Sequence, residues 1–597
     1  MDVYTDQKKV QPDEQPQLST KSERSANDSN AEMGMGATDT AGRQAASLGQ
    51  DGPVEISFQA SFDTVNAGVL FALPALLAVG LLHHTEEKFQ LPRGYYRLNS
   101  IFLLLSFMAL ARLKSVESLR YSAPGEWGKV LGLDRVPEVR TLRQKIAHLA
   151  KNDNSTQWSA ELCRQWMKSA PESAWALYVD GHVRVYHGKL AHLPRHYVPR
   201  QKLCLRASVD YWINAADGQP FFCVPKEISP GLIAVLEDDI VPRLIEEVPN
   251  QPDAEALKAD PLLHRFTVIF DREGYSPDLF LRLKDKQIAC LTYHKFPAED
   301  WNLWEFQPHS VKLGSGQIVE MKLAERGIQL NNKLWVREIR KLTNTGHQTS
   351  ILSTDYKTAE ARLAPRMFAR WAQENFFKYM RENYDLDRLV EHGAEEIPDA
   401  ENVKVIDPGY RRLDQAVHKV QGQLNRKLAT VGAMTMPPLV MPSKVIEVFH
   451  EKKSALAEEV AELQCSIKKL KAERKAVPKH TTLDKIPEEE RNTRCRTQSK
   501  RLLDTIKMVA YRAETAMMNI LKERMSRQDD ARSLLRTLYT TEADLIPNLD
   551  EKTLTVRLHH LANRSSDEAI RHLCVELNST ETVYPDTELR LVYELVS

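Results

Sequence analysis

The stretch Trp175-Ala-Leu-Tyr-Val-Asp180-Gly-His-Val-Arg-Val-Tyr186 decides the fold class. Upstream of it, apolar residues recur at helical spacing. Within it, β-branched and aromatic residues alternate, which is the pattern of a strand. The runs Cys204 to Asn214 and Pro220 to Val224 repeat that pattern around a turn at Asp217-Gly218, so a three-stranded antiparallel meander is expected. A helix follows from Pro230 to about Val248, with Leu232, Val235, Leu236, Ile240 and Leu244 on its apolar face and Pro242 as a kink point. Arg265 to Phe270 reads as a buried strand ending at Asp271. Pro277 then opens a short helix, and Gln287 to Tyr293 is a fifth strand. The order β-β-β-α-β-α-β predicts an α/β core with a mixed five-stranded sheet.

Moving outward, residues 296–350 interrupt the core with strand-like pieces carrying Trp301, Trp304 and Trp335, a β-rich insertion. A helix from about Pro365 to Glu382 follows, on which Arg370, Glu374 and Lys378 share one face at i,i+4 spacing. On its own that ladder reads as a salt-bridged surface helix. Toward the N-terminus, residues 56–170 form helices, among them Pro137 to His148 with Arg140, Arg143 and Lys145 on the outer face. Residues 1–55 carry almost no large apolar side chains and predict a disordered tail. Prolines mark 391–444 as a linker. In 445–476, Ile446, Lys453, Val460 and Ile467 fall at one seam position and Phe449, Leu456, Leu463 and Leu470 at the other. That spacing suits a coiled coil or a long helical hairpin. The rest, to residue 597, reads as mostly helical with a terminal strand.

Composition excludes more than it assigns. A chain of 597 residues with 42% hydrophobic residues supports several domains, and 81 basic residues against 81 acidic ones leave any basic surface local. Seven scattered cysteines without a CxxC pair argue against a disulfide framework or a zinc site, and for a reducing compartment. The 18 uncharged residues from Val65 to Leu82 meet the crude length for a membrane span. They contain Asn66, Gly68, Pro74 and Gly80 and lack a basic anchor, so a buried helix is expected instead. Phosphate-binding loops, serine-nucleophile elbows and HExxH motifs do not occur.

Three carboxylates stand out. Asp180 lies mid-strand before a glycine, Asp271 just beyond a strand end, and Glu374 on the helix after the insertion. Phosphoryl transfer by two divalent ions about 3.5–4 Å apart needs such rigidly held oxygen ligands. Glu273 and Asp278 flank the second acid, and Asp278 is better read as a first-turn charge suiting the helix dipole.

This order of acids resembles the ribonuclease-H-like core of DDE transposases. Phe270-Asp271-Arg-Glu-Gly-Tyr-Ser276 is similar to the segment around the second acid in bacterial insertion-sequence transposases. The later helix resembles their signature Y-x2-R-x3-E-x6-K through Arg370, Glu374 and Arg381, with Met367 in place of the tyrosine. The resemblance implies a ribonuclease-H-like catalytic domain over 171–390 and a helical N-terminal DNA-binding domain over 56–170. It implies that Asp180, Asp271 and Glu374 hold two Mg²⁺ ions, with Mn²⁺ as a substitute. The enzyme would bind terminal inverted repeats in double-stranded DNA, hydrolyse a phosphodiester and join the 3′-hydroxyl to target DNA, as a homo-oligomer pairing two ends in the cytoplasm, on the nucleoid. Arg370 and Arg381 would hold phosphate near the metals. Trp301, Trp304 and Trp335 are candidates to stack on a flipped base. From position alone, the basic loop with Arg195, Arg200 and Lys202 is a further phosphate-contact candidate. Two other readings are a DNA-binding protein descended from such an enzyme with a dead site, and a membrane-anchored helical protein resting on 65–82.

Overall fold

The computed structural model describes residues 38–49, 52–198, 200–313, 317–368, 371–388, 394–397, 400–434, 443–495, 497–525, 528–561 and 563–596. Most of the expected 1–55 tail lies outside these. Within the tail, Thr40–Leu48 is a helix whose Arg43 pairs with Asp134 and lies over the Tyr95 ring at 4.0 Å.

The N-terminal region begins with β1 (Ser61–Thr64) and continues through a 3₁₀ turn, Ala67–Ala72, and a short helix, Leu73–Val79. Gly80 ends that helix in the left-handed conformation, so the apolar run breaks well short of a bilayer span. No described helix is long and apolar enough to cross a membrane. Helix α1 (Leu98–Leu110) is buried almost all round, as its uniform apolar sequence demands, and α2 (Asn154–Ser169) buries Trp158, Leu162 and Trp166.

The central sheet has ten strands. Its first part is β2 (Ala176–Val185), β3 (Arg195–Val198), β4 (Leu203–Asn214), β5 (Pro220–Lys226), β6 (Thr267–Phe270) and, after α3 (Pro277–Asp285), β7 (Ala289–Tyr293). Both β3 and β5 pair with β4, which runs antiparallel to β2. On the other side of β2, β6 and then β7 run parallel to it. The segment between β5 and β6 widens into a π-helix at Leu236–Ile240 just before Pro242, whose missing N–H breaks the regular helical ladder.

The expected five-stranded sheet is therefore doubled. The insertion folds as β8 (Gln307–Lys312), β9 (Ile318–Gln329), β10 (Trp335–Leu342) and β11 (Gln348–Ser353), an antiparallel meander. Its last strand pairs with β7, Ile351 opposite Tyr293, so the insertion extends the same sheet instead of forming a separate unit. An exposed β7 edge with unpaired backbone groups is thereby covered.

The helix expected from Pro365 to Glu382 is described on either side of residues 369 and 370, which lie outside the described residues. Helix α4 (Glu360–Phe368) contains Pro365 in its interior, and α5 (Trp371–Tyr384) follows. The proline was expected in a first turn. The helix starts five residues earlier, at Glu360, because Leu363, Ala364 and Met367 bury against the sheet on Tyr178, Ile269, Leu291 and Ile351.

The stretch expected as a linker carries α6 (Pro408–Ala433), which Asp407 caps through the N–H groups of Gly409 and Tyr410. It lies alongside α7 (Ser443–Ala476), with Arg474 paired to Asp414 and Lys427 to Glu459 at 2.6 Å. The heptads thus serve an intramolecular hairpin, burying Ile467 with Val417 and Leu424 on the partner helix. Helices α8 (Gln498–Leu521) and α9 (Gln528–Thr540) precede β12 (Ala543–Asn548), β13 (Thr553–Leu558), α10 (Arg564–Asn578) and β14 (Arg590–Leu595). Residues 530–597, expected to be mostly helical with a terminal strand, therefore hold three strands, and β1 completes their sheet by pairing with β12. The buried α8 packs against Leu73–Val79, α1 and α2, so the first and last parts of the chain share one core.

Candidate active site

The parallel pairing of β2 with β6 sets the site. Tyr178 lies opposite Ile269 and Val179 opposite Phe270, so the next residue on each strand is an aspartate: Asp180 and Asp271. Both backbones stay extended there, so each acid projects on the face of Tyr178 and Ile269. Both are half-buried. Asp180 Oδ1 accepts from the Gly181 N–H at 2.9 Å, and the Asp271 carboxylate accepts from the Arg272 N–H.

Helix α4 packs on that same face. The Tyr178 hydroxyl donates to the Arg366 carbonyl, and the Tyr293 hydroxyl donates to the Met367 carbonyl at 3.4 Å. These bonds fasten the end of α4 near the two aspartates. Helix α5 then begins, with Glu374 exposed in its first turn. One turn on, Phe377 stacks on the His182 ring at 5.2 Å, and Phe376 meets Trp212 at 5.4 Å. His182 is two residues beyond Asp180 on its strand face, and Trp212 is the cross-strand partner of Asp180. The helix of the third acid is thus seated on the residues that flank the first.

A second carboxylate group surrounds this seat. Asp387 accepts from the His182 ring and pairs with Arg200 at 2.9 Å. Burial would raise the Asp387 carboxyl, but the His182 hydrogen bond and charge, together with Arg200, outweigh it and hold it at about 2. Glu273 behaves oppositely: burial, reinforced by the nearby Asp271 charge, pushes its carboxyl up.

The other sequence-predicted residues divide. Arg370 lies outside the described residues. Arg381 donates to the Phe377 carbonyl of its own helix at 3.3 Å and is half-buried. Arg195 and Lys202 are exposed, whereas Arg200 is held by Asp387 and by the Val183 carbonyl. Trp301 is buried, and the guanidinium groups of Arg326 and Arg340 lie over its ring at 4.5 and 4.3 Å, so the ring is already engaged. Trp304 and Trp335 are exposed, 76% and 57%. Asp278 lies in the first turn of α3, which Ser276 caps.

Two features had no clear local signal. Asp387 follows the α5 helix in an ordinary charged run. Glu514, fully buried in α8, was detectable only as a carboxylate amid Tyr511, Ala513 and Met517. Elsewhere, Asp63, Asp544 and His559 bring ligand atoms within 4.8 Å of one another in the smaller sheet. Asp544 is hydrogen-bonded to His559 at 3.0 Å and accepts from the Asp63 N–H at 3.1 Å, and the Asp63 carboxylate lies 3.6 Å from His559.

A family model described as "Transposase protein" matches residues 34–597. No curated protein matches the chain. Among solved structures, a piggyBac transposase synaptic complex with hairpin DNA, determined by cryo-EM, aligns over 82% of this chain and 84% of its own at 9% identity, with a TM-score of 0.24.

Proposed function

The chain belongs to the transposase protein family, and we propose that it is a DDE-type enzyme in which Asp180, Asp271 and Glu374 direct metal-dependent cleavage and joining of DNA. The observation that carries this reading is the pairing of β2 with β6, which sets Asp180 beside Asp271 on the face that α4 and α5 cover. The strand order β5-β4-β2-β6-β7, with β2, β6 and β7 parallel, supports a ribonuclease-H-like core.

The donor set consists of three carboxylates from rigid elements, without a cysteine, and so suits a hard cation. Mg²⁺ fits, with Mn²⁺ as a substitute. When bound, two such ions supply activation of the attacking oxygen and stabilisation of the leaving oxygen. The chain's own part is positional. The Gly181 N–H orients the Asp180 carboxylate, and the Arg272 N–H orients that of Asp271. Phe377 on His182 fixes the turn that carries Glu374.

Exposed Arg195 and Lys202 would contact phosphate, as would Arg381 once it leaves the Phe377 carbonyl of its own helix. Trp304, in the turn before β8, and Trp335, on β10, would offer exposed rings to an unstacked base at the cleaved end. The substrate is double-stranded DNA carrying the element's terminal inverted repeats, and two protomers pair the two ends. The test is binding and cleavage of a labelled end duplex by the full chain. Glu374→Gln is expected to bind the duplex as the wild type does while losing Mg²⁺-dependent cleavage. Cleavage retained in Glu374→Gln would overturn the assignment.

A further inference from the structure

Helix α5 is gripped from behind by a single buried carboxylate contributed from far along the chain. Glu514, on α8, is fully buried. Its Oε1 accepts from the Tyr379 hydroxyl at 2.8 Å and from Arg112 at 2.5 Å, and its Oε2 accepts from the Tyr384 hydroxyl at 2.7 Å. Arg532 of α9 stands 3.8 Å from Oε2 and lies over the Tyr379 ring at 4.7 Å. Arg112 lies over the Tyr384 ring at 4.5 Å. Beside this cluster, Tyr511 of α8 packs on Phe376 at 5.2 Å.

A buried carboxylate is costly unless its lone pairs are filled and its charge is matched. Here two phenols and two guanidiniums do both, and every partner has a definite origin. Arg112 comes from the end of α1, Arg532 from α9, and both tyrosines from α5. Both tyrosines sit C-terminal to Glu374 on the helix whose other side rests on His182 and Trp212. The helix is therefore wedged between the sheet and α8, with its axial position set by two hydrogen bonds to one carboxylate.

We propose that Glu514 is a positioning residue for the reaction: from the C-terminal region it fixes where α5 presents Glu374 to Asp180 and Asp271. The inference rests on the reading of Glu374 as the third acid. It makes residues 498–540 part of the working catalytic unit, not an accessory tail. Glu514 touches neither DNA nor metal. It acts through Tyr379 and Tyr384, and a displacement of about 1 Å at a reacting group costs on the order of 10²-fold in rate.

The experiment uses the full chain and compares Glu514→Gln, Tyr379→Phe, Tyr384→Phe and Glu374→Gln with the wild type. Five quantities are read: duplex binding, kcat, KM for the duplex, the Mg²⁺ concentration giving half-maximal cleavage, and the thermal midpoint of unfolding. Glu514→Gln is expected to lower kcat by on the order of 10²-fold. KM should stay within about twofold, and the half-saturating Mg²⁺ concentration should rise about tenfold, as expected if the third ligand is displaced. The phenylalanine variants keep the buried charges and each remove one hydroxyl, so they remain informative if Glu514→Gln does not fold. Each should shift the Mg²⁺ requirement in the same direction by a smaller factor. A purely structural Glu514 would lower the thermal midpoint while leaving the Mg²⁺ requirement of the folded fraction unchanged, and that result overturns the proposal. If Glu374→Gln cleaves normally, the failure lies in the assignment of the third acid instead.

Discussion

Asp180 and Asp271 stand at the same height on neighbouring parallel strands, each one residue beyond the directly paired Val179 and Phe270. A strand slipped by one residue would turn one of the two acids to the opposite face. The register is held by Leu177, Val179, Val268 and Phe270 in one core layer and by Tyr178 and Ile269 in the other.

That placement separates the proposed ligands from their neighbours. Asp271→Asn is expected to reduce Mg²⁺-dependent cleavage by on the order of 10²-fold or more while leaving duplex binding intact. Glu273→Gln, two residues on and held by the Leu232 N–H, should keep cleavage within a few-fold. Single-turnover rates on one duplex compare the two, and equal losses in both would remove the distinction.

Trp212 is fully buried beneath Phe376 and Phe377. Trp212→Ala leaves a large cavity under α5 and should destabilise the protein by about 3–5 kcal/mol. Thermal unfolding followed by circular dichroism checks this, and a loss below about 1 kcal/mol would mean that α5 is not seated there.

The Asp387 carboxyl, at about 2, lies below its ordinary value, so its pairing with His182 and Arg200 stabilises the fold above the unfolded carboxyl range. That contribution should fade as pH falls from about 4 through about 2. The carboxylate is 35% exposed, so screening limits its worth to on the order of 1 kcal/mol. Asp387→Asn should therefore lower stability at pH 6 and flatten its acid dependence in this window. Parallel curves for the two proteins would contradict the pairing.

The α6–α7 pair is intramolecular. Ile467→Asp, which buries a charge in its seam, should reduce helicity and leave the oligomeric state of the free protein unchanged. Lys427→Glu, at an exposed pair, should change stability by less than about 1 kcal/mol. Sedimentation alongside circular dichroism reads both, and dissociation of an oligomer by Ile467→Asp would show an intermolecular coil instead.

What was legible in the sequence is what local periodicity encodes. The alternation around Asp180 and the buried strand before Asp271 announce themselves within a dozen residues. What was not legible depends on pairing across long distances. The heptads of 445–476 look the same whether their partner is another chain or Val417 and Leu424 of the same one. Nothing local in Ser61–Thr64 says that it pairs with a strand starting at Ala543. Trp301 read as a candidate ring for stacking because the sequence hides that it is buried with Arg326 and Arg340 over its ring. Glu514 was hidden for the same reason, since its four partners come from α1, α5 and α9.

The decisive experiment is cleavage of a labelled duplex carrying the inverted repeats expected to flank the protein's own gene, with Mg²⁺ or with chelator, by the wild type and by Asp180→Asn, Asp271→Asn and Glu374→Gln. The account predicts cleavage at the repeat end by the wild type with Mg²⁺ only, and retained binding without cleavage in all three variants. Binding without metal-dependent cleavage by the wild type, or cleavage that survives loss of any one of the three acids, would contradict it.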